Sequence, residues 1–151
     1  MIKVIIVYDT KYGNTKLVAE TILDQMKEFE KIEAGIKDLK DASPNILTDY
    51  DAILIGGPNH FGSPSRTIMK FIDNAGKLNL GERKIAVFDT YMGKDFEKTV
   101  KKMEARIKER VPQLRLMSPG ASIRVEGLKG PISEGELPKA KEFGRRIADQ
   151  L

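Results

Sequence analysis

Short apolar runs alternate with longer amphipathic segments along the whole chain, and this alternation constrains the fold more than any other feature. In the first pair, residues 2–8 are almost continuously apolar and rich in β-branched side chains, as in a strand that is buried on both faces. Beyond residues 9–15, apolar side chains recur at spacings of four, four and three, at Val18, Ile22, Met26 and Phe29. This spacing predicts a helix with one apolar face. A buried strand that leads directly into such a helix predicts an α/β sheet.

Four further segments have the character of strands. Residues 32–36 place an apolar side chain at every second position, which is typical of a half-exposed edge strand. Residues 50–57 and 83–88 resemble the first run and predict buried strands. The stretch 114–125 contains proline and glycine near its middle, so we predict a bent or interrupted strand there.

Amphipathic segments after these strands predict helices. The helix after residue 57 is predicted to have Ser63 as its N-cap and Pro64 at its first position. The next helix has an apolar face that starts at Phe96. We therefore predict a single domain, residues 1–151, with a doubly wound, five-stranded parallel sheet and helices on both faces. Such sheets bind ligands at the carboxyl ends of their strands, where the strand order reverses.

The composition excludes several kinds of site. The chain has no cysteine, which removes disulfides, thiolate nucleophiles and thiolate-ligated zinc or iron–sulfur centres. His60 is the only histidine, so a histidine-rich metal site is excluded as well. No apolar run approaches the roughly 20 residues of a membrane span, and the N-terminus leads straight into a strand without a secretory leader. We therefore expect a cytoplasmic protein with no metal site and no membrane insertion.

The chain carries a net charge of +4, and many of its basic residues lie on two predicted helices. One interpretation is that these residues form solvated outer helix faces. The other is a surface that meets an acidic partner or nucleic acid. No nucleic-acid motif and no interleaved aromatic residues accompany the charges, so we expect no nucleic-acid binding. The expected state is a monomer or a weak oligomer.

The loop between the first strand and the first helix has the composition of an anion site. Thr10, Asn14 and Thr15 offer hydroxyl and amide groups, and Gly13 permits an unusual backbone conformation. The first N–H groups of the helix have no partner within it. The loop is therefore interpreted as a phosphate site, and its alternative is an ordinary capped turn.

Two more loops follow strands at the same edge of the predicted sheet, residues 58–62 and 89–93. Planar side chains stand in them at His60, Phe61 and Tyr91, and glycines let their backbone approach a ring closely. Together the loops suit a flat, ring-bearing ligand. The alternatives are that Phe61 only anchors its loop, that Tyr91 is a surface aromatic and that His60 faces solvent.

The flavodoxins carry a phosphate loop of the form T/S-x-T-G-N-T, which the first loop resembles except at Tyr12, where threonine is usual. The chain reads Thr10-Lys11-Tyr12-Gly13-Asn14-Thr15 there. The order of its elements and its length resemble the short-chain flavodoxins over the whole chain. The second loop is similar to the G-x-P-x-x-F-G of the WrbA-type NAD(P)H:quinone oxidoreductases. The resemblance implies a flavodoxin-like fold with bound FMN.

Carried over by position, the resemblance places the FMN phosphate on Thr10, Gly13, Asn14 and Thr15, with Lys11 adding a favourable charge. Phe61 or His60 would border the inner face of the flavin ring and Tyr91 its outer face. The cofactor-binding set implied in this way is Thr10, Lys11, Tyr12, Gly13, Asn14, Thr15, Pro58, Asn59, His60, Phe61, Gly62, Asp89, Thr90, Tyr91 and Gly93. No catalytic residue is expected.

The function implied by the resemblance is low-potential electron transfer, in which FMN exchanges single electrons with redox partner proteins. The alternative is an NAD(P)H-dependent FMN reductase or quinone oxidoreductase, which the second loop suggests. A flavodoxin-like module without cofactor that serves as a binding domain is a third hypothesis, against which the intact phosphate loop argues. Flavodoxins are usually acidic around the flavin, whereas this chain is net basic. This difference bears on which partners it meets.

Overall fold

The computed structural model of the protein describes all 151 residues and contains one sheet of parallel strands. The strands are β1 (Ile2–Tyr8), β2 (Ile32–Asp38), β3 (Ala52–Pro58), β4 (Lys84–Tyr91), β5 (Arg115–Leu116) and β6 (Ala121–Arg124). The α-helices are α1 (Asn14–Met26), α2 (Arg66–Ala75), α3 (Lys98–Arg110) and α4 (Leu137–Asp149). Two 3-10 helices, Leu39–Asp41 and Pro44–Asp49, connect β2 to β3. The predicted α/β fold with a parallel sheet is confirmed.

The sheet order is β2-β1-β3-β4-β5, and β6 also pairs with β4. From β1 the chain first adds β2 on one side and then crosses to β3 on the other, so the strand order reverses between β1 and β3. A crevice is expected at the carboxyl ends of these strands, because the flanking connections leave in opposite directions.

The fifth position of the sheet is shared by two short strands. β5 pairs with the start of β4, at Lys84 and Ile85, whereas β6 pairs with its second half, from Phe88 onward. Gly120 stands before β6, and a Cβ at this glycine would lie 2.4 Å from the carbonyl oxygen of Val87. The predicted interruption of this strand is therefore confirmed, and glycine allows the chain to rejoin the sheet.

Successive strand residues point to opposite sides of the sheet, and helices cover the apolar side chains on both faces. Ile6 and Phe88 belong to a cluster of 19 buried residues beneath α1 and α4. Ile55 and Val87 belong to a second cluster of 18 beneath α2 and α3. Gly144 lets α4 approach α1, because a Cβ there would lie 3.2 Å from the Ile22 carbonyl oxygen. No helix is long and apolar enough to cross a membrane.

Two predicted helix starts are wrong. α2 begins at Arg66, with Ser65 as its N-cap; the Ser65 Oγ accepts a hydrogen bond from the N–H of Ile68 at 3.2 Å. Ser63 does not cap the helix, because its backbone is paired with His60 in a tight turn. α3 begins at Lys98, so Phe96 lies outside it rather than on its apolar face.

Candidate functional site

A crevice with a volume of about 250 Å³ opens at the carboxyl ends of β1, β3 and β4, where the strand order reverses. It is lined by Thr10, Lys11, Tyr12, Asn14, Thr15, Pro58, Asn59, His60, Phe61, Thr90, Tyr91, Met92, Val125, Gly127 and Leu128. A larger hollow of about 510 Å³ lies elsewhere, along β6 and α4. We take the smaller crevice as the candidate site because it alone lies at the reversal.

The loop from Thr10 to Gly13 turns the chain from β1 into α1. Gly13 has a φ of 91°, a left-handed conformation that favours glycine, and its N–H donates to the Thr10 hydroxyl at 3.0 Å. No side chain caps α1, and no acidic residue stands in its first turn. The positive end of the helix dipole is therefore not neutralised from within the chain.

Between residues 11 and 16, five backbone N–H groups have no acceptor within the protein. They belong to Lys11, Tyr12, Asn14, Thr15 and Lys16. Unpaired donors at a helix start are the usual binding groups for phosphate. A dianionic phosphate group therefore fits this end of the crevice, and the Lys11 ammonium adds a positive charge.

The threonine and asparagine side chains at the start of α1 brace the walls of the crevice. The buried Thr15 hydroxyl lies 2.9 Å from the hydroxyl of Thr90 at the end of β4. The Asn14 amide lies against Gly130, where a Cβ would be 2.6 Å from its Oδ1. These two contacts join the first loop to β4 and to the loop after β6.

A tight hairpin turn presents Phe61 at the mouth of the crevice. His60 and Ser63 exchange backbone hydrogen bonds of 2.7 and 3.0 Å. The two residues between them are both left-handed, with φ of 49° at Phe61 and 84° at Gly62, as in a type I′ turn. A bulky residue in this conformation is strained, and the Phe61 ring gains no burial in return, since it is fully exposed.

Asn59 holds the second loop against α3. Its Nδ2 donates to Asp95 at 2.8 Å, its Oδ1 accepts from the Thr99 hydroxyl at 2.7 Å, and its N–H donates to the Thr90 carbonyl at 2.8 Å. Its side chain is thus already engaged within the protein. Asn59 therefore contributes to the crevice as part of its wall.

Asp89 lies in β4 next to the crevice, but its side chain points to the opposite face of the sheet. One carboxylate oxygen accepts from the N–H of Val100 at 2.9 Å and the other from the Ser122 hydroxyl at 2.6 Å. The Ser122 oxygen in turn accepts the N–H of Glu97 at 2.9 Å. Burial raises the pKa of Asp89 to about 7, although both hydrogen bonds lower it.

The comparisons with known proteins agree with this geometry. The flavodoxin domain family matches residues 5–129. The chain belongs to the flavodoxin family. An uncharacterised protein of Methanocaldococcus jannaschii is 30% identical over 96% of this chain and 97% of its own length. The flavodoxin of Aquifex aeolicus is 31% identical over 48% of this chain, but over only 39% of its own length.

Solved structures extend the likeness of this flavodoxin-family chain to its whole fold. An archaeal flavodoxin aligns with a TM-score of 0.82 over 99% of this chain and 98% of its own, at 23% identity. A WrbA-like flavodoxin of Agrobacterium tumefaciens aligns with a TM-score of 0.75 over 99% and 97%, at 21% identity. Membership of the family implies flavin binding, and the crevice at the strand-order reversal is the candidate site for it.

The structure brings most of the expected flavodoxin cofactor residues to one crevice. Gly13, Gly62, Asp89 and Gly93 do not line it. The two glycines at 13 and 62 shape the loops through their positive φ angles. The Asp89 carboxylate faces α3 and stays out of the crevice, whereas its neighbours Thr90 and Tyr91 line it.

Tyr91 differs from its expected role as a loop aromatic. It is the last residue of β4 and is buried, and its ring packs edge-on against Phe96 at a centroid distance of 5.6 Å. Burial and the nearby Glu136 carboxylate raise its pKa. The third loop therefore begins at Met92, and Tyr91 forms a fixed wall of the crevice.

The loop after β6 also lines the crevice, although no sequence motif indicates it. Val125, Gly127 and Leu128 line the crevice, and Leu128 is exposed. In the sequence, the available signal for this loop is a leucine that stands between Gly127 and Gly130. No motif indicates a further contact either: the Ser65 hydroxyl, at the start of α2, donates to Asp9 at 2.6 Å and so fixes the end of β1.

Proposed function

We propose that this protein is a one-electron carrier that binds FMN without a covalent link in the crevice at the carboxyl ends of β1, β3 and β4. The observation that carries the proposal is the set of five unpaired backbone N–H groups at the uncapped start of α1. Such donors suit the phosphate of FMN rather than an uncharged ligand. Membership of the flavodoxin family supports the same cofactor.

Two groups of residues would bind the two parts of the cofactor, its phosphate and its ring. The unpaired N–H groups of residues 11, 12 and 14–16 and the Lys11 ammonium would hold the phosphate. Tyr91 would form a rigid wall for the ring, and His60 and Phe61 would border it from the hairpin turn. When bound, the flavin supplies the redox chemistry. The protein supplies binding, exclusion of water and a fixed orientation.

The decisive experiment compares FMN with riboflavin, which lacks the phosphate. We expect FMN to bind at least about a hundredfold more tightly, equivalent to about 2.7 kcal/mol, because only FMN meets the unpaired donors. Fluorescence quenching or calorimetric titration of the apoprotein measures both affinities. Equal affinities would show that the first loop holds no phosphate and would refute the proposal.

A glycine substitution tests the loop itself. Gly13→Ala places a side chain at a φ of 91°, where no neighbouring atom lies within 4 Å, so its effect comes from backbone strain alone. We expect weaker binding of FMN and little change for riboflavin. Gly81→Ala is the matched control, since Gly81 is also left-handed with open space around it but lies before β4.

The second candidate is an NAD(P)H-dependent quinone oxidoreductase. The hairpin turn of the second loop, with Phe61 at its tip, favours it, and the fold is shared with a WrbA-like protein. The reconstituted protein separates the two hypotheses when NADPH or NADH is added alone. We expect slow bleaching of the flavin absorbance for the carrier. Rapid bleaching, with turnover when a quinone is added, would favour the enzyme.

A further inference from the structure

Exposed apolar side chains gather around the crevice. Seven large hydrophobic residues of the chain are exposed, and four of them, Tyr12, Phe61, Met92 and Leu128, line this one opening with exposures of 39% to 104%. They come from four segments, residues 10–15, 58–63, 91–97 and 125–130, which we call the rim. A contiguous apolar surface of this kind marks an interaction site.

Lysines surround this apolar surface. Lys11, Lys94 and Lys129 stand in three of the rim segments, and all three are exposed and without an ion pair. Lys102 reaches the fourth segment from α3, because its Nζ donates to the Ser63 hydroxyl at 2.7 Å. Each segment of the rim thus has a positive charge in it or against it.

The acidic groups of the rim neutralise only part of this charge. Asp95 is paired with Lys98 at 2.9 Å and bonded to Asn59, so its carboxylate is already satisfied. Glu97 and Glu126 are the other two acidic residues of these segments. A surface with unpaired lysines around an apolar centre attracts negative partners and repels positive ones.

Acidic residues outnumber basic residues in another part of the molecule. Residues 14–49, which form α1, β2 and the two 3-10 helices, contain eight acidic and five basic residues. The rest of the chain therefore carries more positive charge than the net +4 of the whole indicates. This asymmetry can orient an approaching charged protein before contact.

We propose that the rim is the docking surface for a redox partner protein whose own redox centre is surrounded by acidic side chains. The proposal rests on the proposed electron-carrier function and adds the polarity of its partner. Acidic side chains of the partner pair with Lys94, Lys102 and Lys129, which the cofactor leaves free, while its apolar centre contacts Phe61 and Leu128. An apolar centre with a polar periphery is the usual composition of a protein interface.

Small redox probes of opposite charge test the polarity of the rim at the flavin. The FMN-loaded protein is reduced with dithionite, freed of excess reductant and mixed in a stopped-flow instrument with ferricyanide, a trianion, or hexaammineruthenium(III), a trication. Each oxidant takes one electron from the reduced flavin. Between about 20 and 500 mM salt, we expect the rate with ferricyanide to fall and the rate with hexaammineruthenium to rise, because salt screens attraction and repulsion alike.

A pair of double variants separates the rim from the net charge. Lys102→Glu with Lys129→Glu reverses two charges at the rim. Lys27→Glu with Lys77→Glu makes the same change in net charge at the C-terminal ends of α1 and α2, at the opposite edge of the sheet. We expect the rim variant to reverse the sign of both salt dependences and the control variant to leave them unchanged. Equal effects of the two variants would overturn the proposal.

A binding measurement that needs no flavin keeps the two proposals distinguishable. Calorimetric titration of the apoprotein with polyaspartate, as an acidic polypeptide probe, is compared with a DNA oligonucleotide of equal charge. We expect polyaspartate to bind in low salt, the rim variant to lose at least tenfold in affinity and the control variant to lose less than twofold. Stronger binding of the DNA would mean that the rim serves nucleic acid, and equal losses in both variants would exclude the rim as the site. Failure of FMN to bind would refute the carrier function without deciding this result.

Discussion

Asp89 makes the stability of this protein depend on pH in the direction opposite to that of a carboxylate whose pKa is lowered by an ion pair, such as Asp73. Asp89 is fully buried between β4 and α3, and its pKa is raised from 3.8 to about 7 by that burial, with a small addition from the charge of Glu97. Between these two values the folded state holds a proton that the unfolded state has released. The folded state is therefore progressively destabilised as pH rises from about 4 to about 7.

The size of the effect follows from the shift. One pKa unit corresponds to 1.36 kcal/mol, so a shift of about three units costs about 4 kcal/mol of unfolding free energy above pH 7. Asp89→Asn removes the charge while its side-chain oxygen still accepts from the N–H of Val100 and its amide faces the Ser122 hydroxyl. We expect the variant to match the wild type below about pH 4 and to exceed its stability by up to about 4 kcal/mol at pH 8.

Urea denaturation at a series of pH values measures this difference. Ser122→Ala serves as a second perturbation, because the Ser122 hydrogen bond lowers the pKa of Asp89. Without this bond, the ionisation of Asp89 in the folded state, and the loss of stability that accompanies it, should move to higher pH. A wild-type protein that loses no stability relative to Asp89→Asn between pH 4 and pH 8 would refute the reasoning. Titration of the Asp89 carboxyl carbon by NMR gives the pKa directly.

Three other substitutions test single contacts. Phe61→Asn relieves the left-handed strain at the hairpin tip, so it should stabilise the fold by about 1 kcal/mol in thermal denaturation and lower the affinity for FMN. Phe61→Leu keeps the strain and should not stabilise the fold. Gly56→Ala places a Cβ 2.0 Å from the Phe88 ring and should cost about 2 to 3 kcal/mol in urea denaturation; no loss would mean that the ring moves freely. Asp73→Asn breaks the two hydrogen bonds from Arg106 and should cost up to about 1 kcal/mol at pH 7, since the pair is partly exposed. Because Arg106 lowers the pKa of Asp73, this loss should disappear as pH falls through that lowered pKa.

The fold was predictable from the sequence because burial periodicity is a property of each segment taken alone. The strands at 2–8, 50–57 and 83–88 and the interruption near Gly120 all follow from local patterns. The start of α2 could not be predicted from local patterns, because the neighbouring sequence allows either Ser63 or Ser65 to be the N-cap. The choice between them is made by Asp9, which follows β1 directly and accepts a hydrogen bond from the Ser65 hydroxyl, 56 residues away in the chain.

The candidate site was predictable in its location and less so in its roles. Motif similarity selects residues by position and cannot distinguish a side chain that meets a ligand from one that holds a loop. Asp89 shows the limit, because only the direction of the β4 pleat decides that its carboxylate faces α3. Leu128 was missed for a related reason: its loop reaches the crevice through packing of Gly130 on Asn14, which no local pattern reveals.

The roles of the polar side chains explain how the crevice can bind through its backbone. Asn14, Asn59 and Thr15 carry groups that suit a phosphate or a ring, yet each has a contact within the protein that fixes one loop to another. Five main-chain N–H groups are left unpaired, and their positions depend on the conformation of the loop rather than on its side chains. Substitution of a side chain that fixes one loop to another should therefore lower the affinity for FMN by loosening that loop. Substitution of Gly13 should lower the affinity by moving the backbone N–H donors themselves. This difference predicts that stability and FMN affinity fall together for Thr15→Val. Gly13→Ala and Gly81→Ala should both lose stability through the same strain, but only Gly13→Ala should lose FMN affinity steeply.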